Sequence, residues 1–292
     1  MATQALPAIH HKECGIVGVF DGSVAGFGGG GGRFPGVVSA TKAKCQQGYG
    51  EGKARFKSIH SHESLYSATA KIEFGMPGGS NIFATFSKLM KILCVGRNYV
   101  DHIRELQNEK PEEPVIFLKP DTALVRHNEP VYHPDFTEDM HHEVEIILRI
   151  SKEGKYIQPE FADRYIDGIG LGIDFTARDV QARLKSKGLP WELAKAFNQS
   201  APVSEFLPLS EVGDLGNLDF SLQVNGELRQ QGNTSHMLFT IQELLVFVSR
   251  YFTLKAGDIL FTGTPAGVAK VAVGDRLTGF LGDRKMLDFE VR

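Results

Sequence analysis

The chain has 292 residues, 42% of them hydrophobic, with a formal net charge of −3 and an isoelectric point near 6.4, enough for one or two globular domains with a substantial core. No basic excess points to nucleic acid or an anionic membrane, no window approaches the ~18 apolar residues of a membrane span, and no basic start followed by an apolar run marks a secretory signal. Cys14, Cys45 and Cys94 lack paired spacing, which excludes a disulfide framework and leads us to expect a reducing, cytoplasmic setting.

Composition changes sharply near residue 88. Before it lie "GFGGGGG" (Gly26 to Gly32) and "MPGGS", whose glycines cost chain entropy and supply no side chains to a core. The runs "CGIVGVF" and "AKIEF" have strand character but no evident partner. Residues 1–89 are therefore expected to form a poorly ordered extension. "MKILCVGRNY" begins with methionine and then a short apolar run, as many complete proteins begin, so Met90 is expected to be the true start of a domain running from 90 to 292.

Beyond that point strand and helix signals alternate in mixed order, with strands in the majority and no βαβ rhythm. "ILCVG" reads as a buried strand ending at a glycine turn, "YVDHIRELQ" has helical spacing, and "PVIFLKP" is a short strand closed by proline. "HHEVEIILRI", His141 to Ile150, has the two-residue period of a strand. "DGIGLGIDF" is a glycine-spaced apolar strand stopping on Asp174, and "FTARDVQARL" then reads as a loop running into a helix. "FSLQVNGELRQQG" is a hairpin around an Asn225-Gly226 type I′ turn. "TIQELLVFVSRYF" is the clearest helix, opened by a Thr240/Glu243 capping box, and "GDILFTGTPAGV" returns to a strand followed by a glycine-proline loop.

The residues that could carry chemistry begin with Glu143 and Glu145. Two apart on a strand, they share a face at a separation of roughly 7 Å, with His141 beside them. A solvated face is the simpler reading of these ten residues, although Ile147 continues the glutamate face and argues against it. Asp174 at its strand end is equally suited to capping the next helix. Should the three carboxylates converge, each close pair would repel by about 4 kcal/mol at ~4 Å in an effective dielectric of about 20. Such a set, without a cysteine ligand, suits Mg²⁺ or Mn²⁺ rather than structural zinc. His102 and Glu105, three apart on a helix, can hydrogen-bond as a general-base pair, or form an ordinary surface pair. Arg97, Arg104, Lys119, Arg178 and Lys195 are cations able to bind a substrate carboxylate. "GIGLGI" lacks the spacing of a dinucleotide loop, and "GFGGGGG" lacks the Lys-Ser/Thr ending of a phosphate-binding loop.

From about residue 90 to the end, the chain resembles the fumarylacetoacetate hydrolase family, most closely its short acylpyruvate hydrolase and oxaloacetate decarboxylase members. The resemblance rests on "KILCVGRNYVDHIRE", "PVIFLKPDTAL", "HHEVEIILRI", "GIDFTARDVQ", "KGLPWELAKAF", "VNGELRQQGNT" and "GDILFTGTPAGV", in that order. It implies a strand-rich α+β fold, a twisted β-sandwich roll with flanking helices, usually as a homodimer. It also implies Mg²⁺ or Mn²⁺ on Glu143, Glu145 and Asp174, and a His102–Glu105 pair on a segment that orders over substrate. Lys195 and Gln181 would act beside that pair, with Arg178 and Thr264 also lining the pocket and Arg97 and Lys119 as further substrate-binding cations. The implied substrate is a small α-keto or 2,4-dioxo acid. The implied reaction is metal-dependent cleavage of acylpyruvates to pyruvate and a carboxylic acid, with oxaloacetate decarboxylation as a companion activity. The alternative is an isomerase or decarboxylase of hydroxydienoate-type diacids. The short stretch "ECGIVGVF" is similar to the opening of amidophosphoribosyltransferases, but the glutaminase motifs that should follow are absent and Cys14 is internal.

Overall fold

The computed structural model describes residues 90–105 and 109–292, together with three strands nearer the N-terminus. The chain divides into two compact units, Met1–Lys88 and Leu89–Arg292. In the first, β1 (Ala54–Phe56), β2 (Ala70–Gly75) and β3 (Asn81–Phe86) form an antiparallel sheet in that order. "AKIEF" is thus a strand and its partners are the two flanking segments. "CGIVGVF", the glycine run and the expected disorder of the remaining N-terminal residues fall outside the described residues.

The second unit runs β4 (Ile92–Gly96), α1 (Val100–Glu105), β5 (Val115–Lys119), β6 (Leu124–Val125), β7 (Met140–His142), β8 (Val144–Ile150), β9 (Ile166–Ile173) and β10 (Thr176–Ala177). It continues with α2 (Arg178–Ser186), α3 (Glu192–Lys195), β11 (Ala201–Pro202), β12 (Asp219–Val224), β13 (Glu227–Asn233) and α4 (Ile241–Tyr251). The last elements are β14 (Ile259–Phe261), β15 (Ala269–Lys270), β16 (Arg276–Leu281) and β17 (Arg284–Glu290). A five-stranded sheet in the order β5-β4-β14-β8-β9 faces a four-stranded sheet in the order β13-β12-β16-β17, and short two- and three-stranded pairings close the edges. All neighbours in the larger sheet are antiparallel except β14 and β4.

Alternation explains why the larger sheet buries both faces. Leu93, Ile146, Leu148, Ile169 and Leu171 point into the main core, where they meet Phe220, Leu222, Leu277, Leu287 and Phe289 of the smaller sheet. Ile92, Cys94, Ile147, Ile259 and Phe261 point the other way into a second cluster. Each fully buried Leu or Ile contributes about 1.5–3 kcal/mol, so β8 is held from both sides. In α4, Ile241, Leu244, Leu245 and Val248 follow the i, i+3, i+4, i+7 spacing and lie in the main core. Its capping box forms as expected: Thr240 accepts from the Glu243 N–H and Glu243 reaches back to the Thr240 N–H.

Two sequence details have their physical reason here. Asn225 and Gly226 both have positive φ, 55° and 81°, the conformation a type I′ turn requires. The spaced glycines of β9 allow close approach: a Cβ on Gly172 would lie 2.5 Å from the Phe261 ring, and one on Gly170 2.8 Å from Ser204 Oγ. "GIGLGI" is a packing strand.

Candidate active site

The stretch "HHEVEIILRI" is two strands, not one continuous strand. β7 pairs with β10 and β15 in a small sheet, β8 belongs to the five-stranded sheet, and Glu143 is the residue between them. The last residue pair of the β8–β9 ladder is Val144 with Ile173, and one step further the Asp174 N–H donates to the Glu143 carbonyl at 2.8 Å. Glu143 and Asp174 therefore face each other at the end of the ladder, while Glu145 stands one strand step away opposite Gly172. Their carboxylate oxygens lie within 4.8 Å of one another.

The solvated-face reading fails, since Glu143 is 4% exposed and Glu145 1%. Ile147, on the glutamate face, is buried in the second cluster. Capping fails for Asp174 as well. Helix α2 starts at Arg178 behind Ala177, which makes no side-chain cap, and the Asp174 carboxylate instead meets lysines. His141 pairs with Asp139, at 2.9 Å.

Three cations surround the carboxylates. Lys195, at the end of α3, places Nζ 2.7 Å from Glu143 Oε2 and 2.5 Å from Asp174 Oδ2. Arg178, opening α2, donates to Glu143 Oε1 at 2.5 Å and to Gln181 Oε1 at 2.8 Å. Lys119 lies 2.8 Å from Asp174 Oδ1, but it donates to the Lys195 and Ser200 carbonyls and to Ser200 Oγ. Asp174 Oδ1 is thus buried without a hydrogen bond. Glu145 Oε2 accepts from the Gly263 N–H at 2.6 Å, and among the described residues no Lys or Arg forms an ion pair with Glu145.

This asymmetry sets the charges. Burial alone would raise the Glu143 pKa, yet Lys195 and Arg178 outweigh it and hold the carboxyl well below its usual range. Burial, reinforced by Asp174 and Glu143, pushes Glu145 well above it. Burial would also strip Lys195 of its proton, but Asp174 and Glu143 more than compensate and its pKa rises. Three hard oxygen donors, one bearing a buried oxygen that accepts no hydrogen bond and another lacking an ion-pair partner among the described residues, fit Mg²⁺ or Mn²⁺.

His102 and Glu105 share one face of α1, with His102 Nδ1 3.3 Å from Glu105 Oε2. The Gly267 N–H anchors the other carboxylate oxygen at 3.0 Å. Burial lowers the His102 pKa despite the opposing pull of Glu143 and Glu105, which keeps the imidazole neutral near pH 7. The segment expected to order over substrate is the one that carries His102 and Glu105; residues 106–108, which follow it, lie outside the described residues.

Arg97, His102, Arg178, Gln181, Lys195 and Thr264 line one cleft together with Glu143 and Glu145. Lys119 does not line it; only 1% exposed, it lies behind Asp174 as a structural cation rather than at the substrate surface. Two further residues, Lys185 lining the cleft and Gln230 behind its wall, are not evident candidates from sequence. Lys185 continues the α2 face of Arg178 and Gln181 at i+7, a spacing visible in "RDVQARLK". Gln230 sits behind Thr264: its Oε1 accepts from the Val144 N–H at 3.0 Å, and its Nε2 donates to Thr264 Oγ1 at 2.8 Å and to the Pro265 carbonyl at 2.9 Å. Gly263 has φ +103°, and a Cβ there would lie 2.6 Å from Asn98 Cβ, so the loop that delivers its N–H to Glu145 requires glycine.

Residues 91–291 match the family model described as fumarylacetoacetate (FAA) hydrolase C-terminal. The chain belongs to the fumarylacetoacetate hydrolase family. The mitochondrial oxaloacetate tautomerase FAHD1 of Bos taurus is 46% identical over 200 residues, 68% of this chain and 90% of that protein. The oxaloacetate tautomerase YcgM of Escherichia coli is 47% identical over 189 residues, 64% and 86% of the respective chains. Among solved structures, a fumarylpyruvate hydrolase from Pseudomonas aeruginosa in complex with Mn²⁺ and pyruvate superposes with a TM-score of 0.67 at 35% identity, covering 78% of this chain and 99% of that one. The strand-rich α+β architecture agrees with the family fold. Among the described residues no helix is long and apolar enough to cross a membrane.

Proposed function

We propose that the cleft enolises small 2-oxo acids, with keto–enol interconversion of oxaloacetate as its main reaction and hydrolysis of acylpyruvates to pyruvate and a carboxylic acid as a second. The observation that carries this reading is a cluster of three buried carboxylates, two of which line the cleft beside a buried imidazole oriented by Glu105. Similarity to oxaloacetate tautomerases over most of their length supports the substrate class.

Glu143, Glu145 and Asp174 would hold Mg²⁺ or Mn²⁺, a Lewis acid that would polarise the 2-oxo carbonyl and acidify the neighbouring C–H. Arg178 and Thr264 face the cleft where the substrate's C1 carboxylate would bind. His102 is neutral and can take the C3 proton, and Glu105 stabilises the resulting imidazolium. Lys195 keeps a proton beyond those given to Glu143 and Asp174, and with the Gln181 amide it can steady the oxygen on which charge develops. Delivery of the proton to that oxygen completes the keto-to-enol conversion without water or redox change.

Hydrolysis is favoured as the second activity by the anchoring of Glu105. Gly267 fixes the carboxylate, the carboxylate orients His102, and the same imidazole can take a proton from water. Decarboxylation of oxaloacetate needs no nucleophile and would persist without the imidazole.

The test follows the absorbance decay of enol-oxaloacetate and of acetylpyruvate on the full chain with Mg²⁺ and then with EDTA. Both reactions should be fast with the metal and lost on chelation. His102→Ala should slow acetylpyruvate cleavage by roughly 10²-fold or more. Absence of metal-dependent turnover on both substrates would overturn the proposal.

A further inference from the structure

Among the described residues, two cations in the cleft form no ion pair. Arg97 and Lys185 both line it, and neither forms an ion pair with any described carboxylate, whereas Arg178, Lys195 and Lys119 are all engaged. The Arg97 guanidinium lies 5.9 Å and the Lys185 ammonium 5.4 Å from the centroid of the same ring, that of Trp191. Arg97 Nε is buried without an acceptor.

The position of Arg97 is imposed by its surroundings. It has φ +60°, a left-handed conformation that a non-glycine residue adopts at a cost. The next residue, Asn98, is fully buried. Its side chain donates to the Phe239 and Thr262 carbonyls and accepts from the Phe239 N–H, which locks the segment. Lys185 follows Arg178 and Gln181 along α2, about two turns from Arg178, and lines the same cleft. Half-burial, followed by repulsion from Arg97, Arg178 and Lys195, lowers the Lys185 pKa, so an anion placed there would relieve an existing electrostatic cost.

We infer that Arg97 and Lys185 form a second anion subsite, against Trp191, that receives the distal carboxylate of a dianionic 2-oxo acid. This rests on the proposed function and narrows it: the cleft would prefer 2-oxo diacids to acylpyruvates with a neutral tail. Arg97 supplies a planar donor and Lys185 a point charge, while the indole ring limits how far the tail can swing.

The experiment uses the Mg²⁺-loaded full chain and two substrates, oxaloacetate with a charged tail and acetylpyruvate with a neutral one. Lys185→Met should raise KM for oxaloacetate at least 10-fold more than KM for acetylpyruvate, and Lys185→Arg should restore most of the difference. A readout independent of turnover comes from Trp191, the one tryptophan in the chain. Succinate should change its fluorescence in the wild type, and far less in Lys185→Met. Equal effects on both substrates, or a succinate response indifferent to Lys185, would overturn the subsite and show that Lys185 only covers the indole ring. If the wild type turned over neither substrate while a Lys185-dependent succinate response remained, the reaction proposed above would fail and the anion subsite would stand.

Discussion

Lys195 Nζ lies 2.7 Å from Glu143 Oε2 inside a cluster from which water is nearly excluded. The same ammonium reaches Asp174, so one lysine bridges two of the three carboxylates. Breaking a buried ion pair from one side costs about 3–5 kcal/mol because the remaining charges are left unpaired. Lys195→Met should therefore lower the melting temperature in EDTA by about 10 °C. Mn²⁺ supplies positive charge to the same oxygens, so it should raise the variant's Tm by more than the wild type's. Thermal melts with EDTA and with MnCl₂ check this, and an equal metal-induced shift in both proteins would remove the carboxylates as the metal site.

Glu145 carries the opposite imbalance, since burial and the neighbouring Asp174 and Glu143 raise its pKa. In the unfolded chain it loses its proton near pH 4.3, while in the fold it holds on to a higher pH. Across that window the folded state binds more protons, so its contribution to stability is full below the ordinary glutamate pKa and is lost as pH rises through the folded value. Glu145→Gln keeps the shape without the charge. In metal-free buffer the variant should be more stable than wild type above neutrality, by about 1.4 kcal/mol for each unit of the raise, with the gap closing toward pH 4. Urea unfolding at several pH values tests it, and a gap that widens on acidification would contradict the burial account.

Gln230 is buried and its amide is fully used in tying Val144 to Thr264 and Pro265. His142 Nδ1 lies 2.9 Å from the same Oε1, which assigns the proton to that nitrogen. Gln230→Leu would leave the Val144 N–H and the Pro265 carbonyl unpaired, a cost of about 2–6 kcal/mol at ~1–3 kcal/mol per group. The urea midpoint should fall accordingly at unchanged slope, and substrate KM should rise because Thr264 keeps only its hydrogen bond to the Val144 carbonyl. A variant as stable as wild type would mean that water replaces the amide.

Gly172 lies opposite Glu145, with the Phe261 ring where its Cβ would be. Gly172→Ala should cost about 1–3 kcal/mol by overpacking. Gly188 offers a contrast, because a Cβ there would meet nothing within 4 Å but its φ is +63°. Gly188→Ala strains only the backbone and should cost about 1 kcal/mol. Denaturant titration of the two variants ranks them, and a reversed order would show that β9 yields more easily than its packing implies.

Much of this architecture is local and therefore written along the chain. Short apolar runs bounded by glycine or proline, or spaced by glycine, marked β4, β5 and β9, Asn225-Gly226 marked its hairpin, and Thr240 with Glu243 marked the start of α4, because each depends on residues a few positions apart. The His102–Glu105 contact was legible for the same reason, being one helical turn. The break at Glu143 was not, since what divides β7 from β8 is their pairing with different sheets.

By itself, then, the sequence determined the residue types of the site and the strand and helix periods that carry them. Only the tertiary structure decided their states. The burial of Glu143 and Glu145, the release of Asp174 from a capping role, the withdrawal of Lys119 behind the cleft and the arrival of Lys185 within it all depend on segments tens of residues apart meeting in space. Burial and charge pairing are properties of that meeting: a carboxylate becomes a ligand or a solvated surface group according to which distant cations and apolar faces surround it.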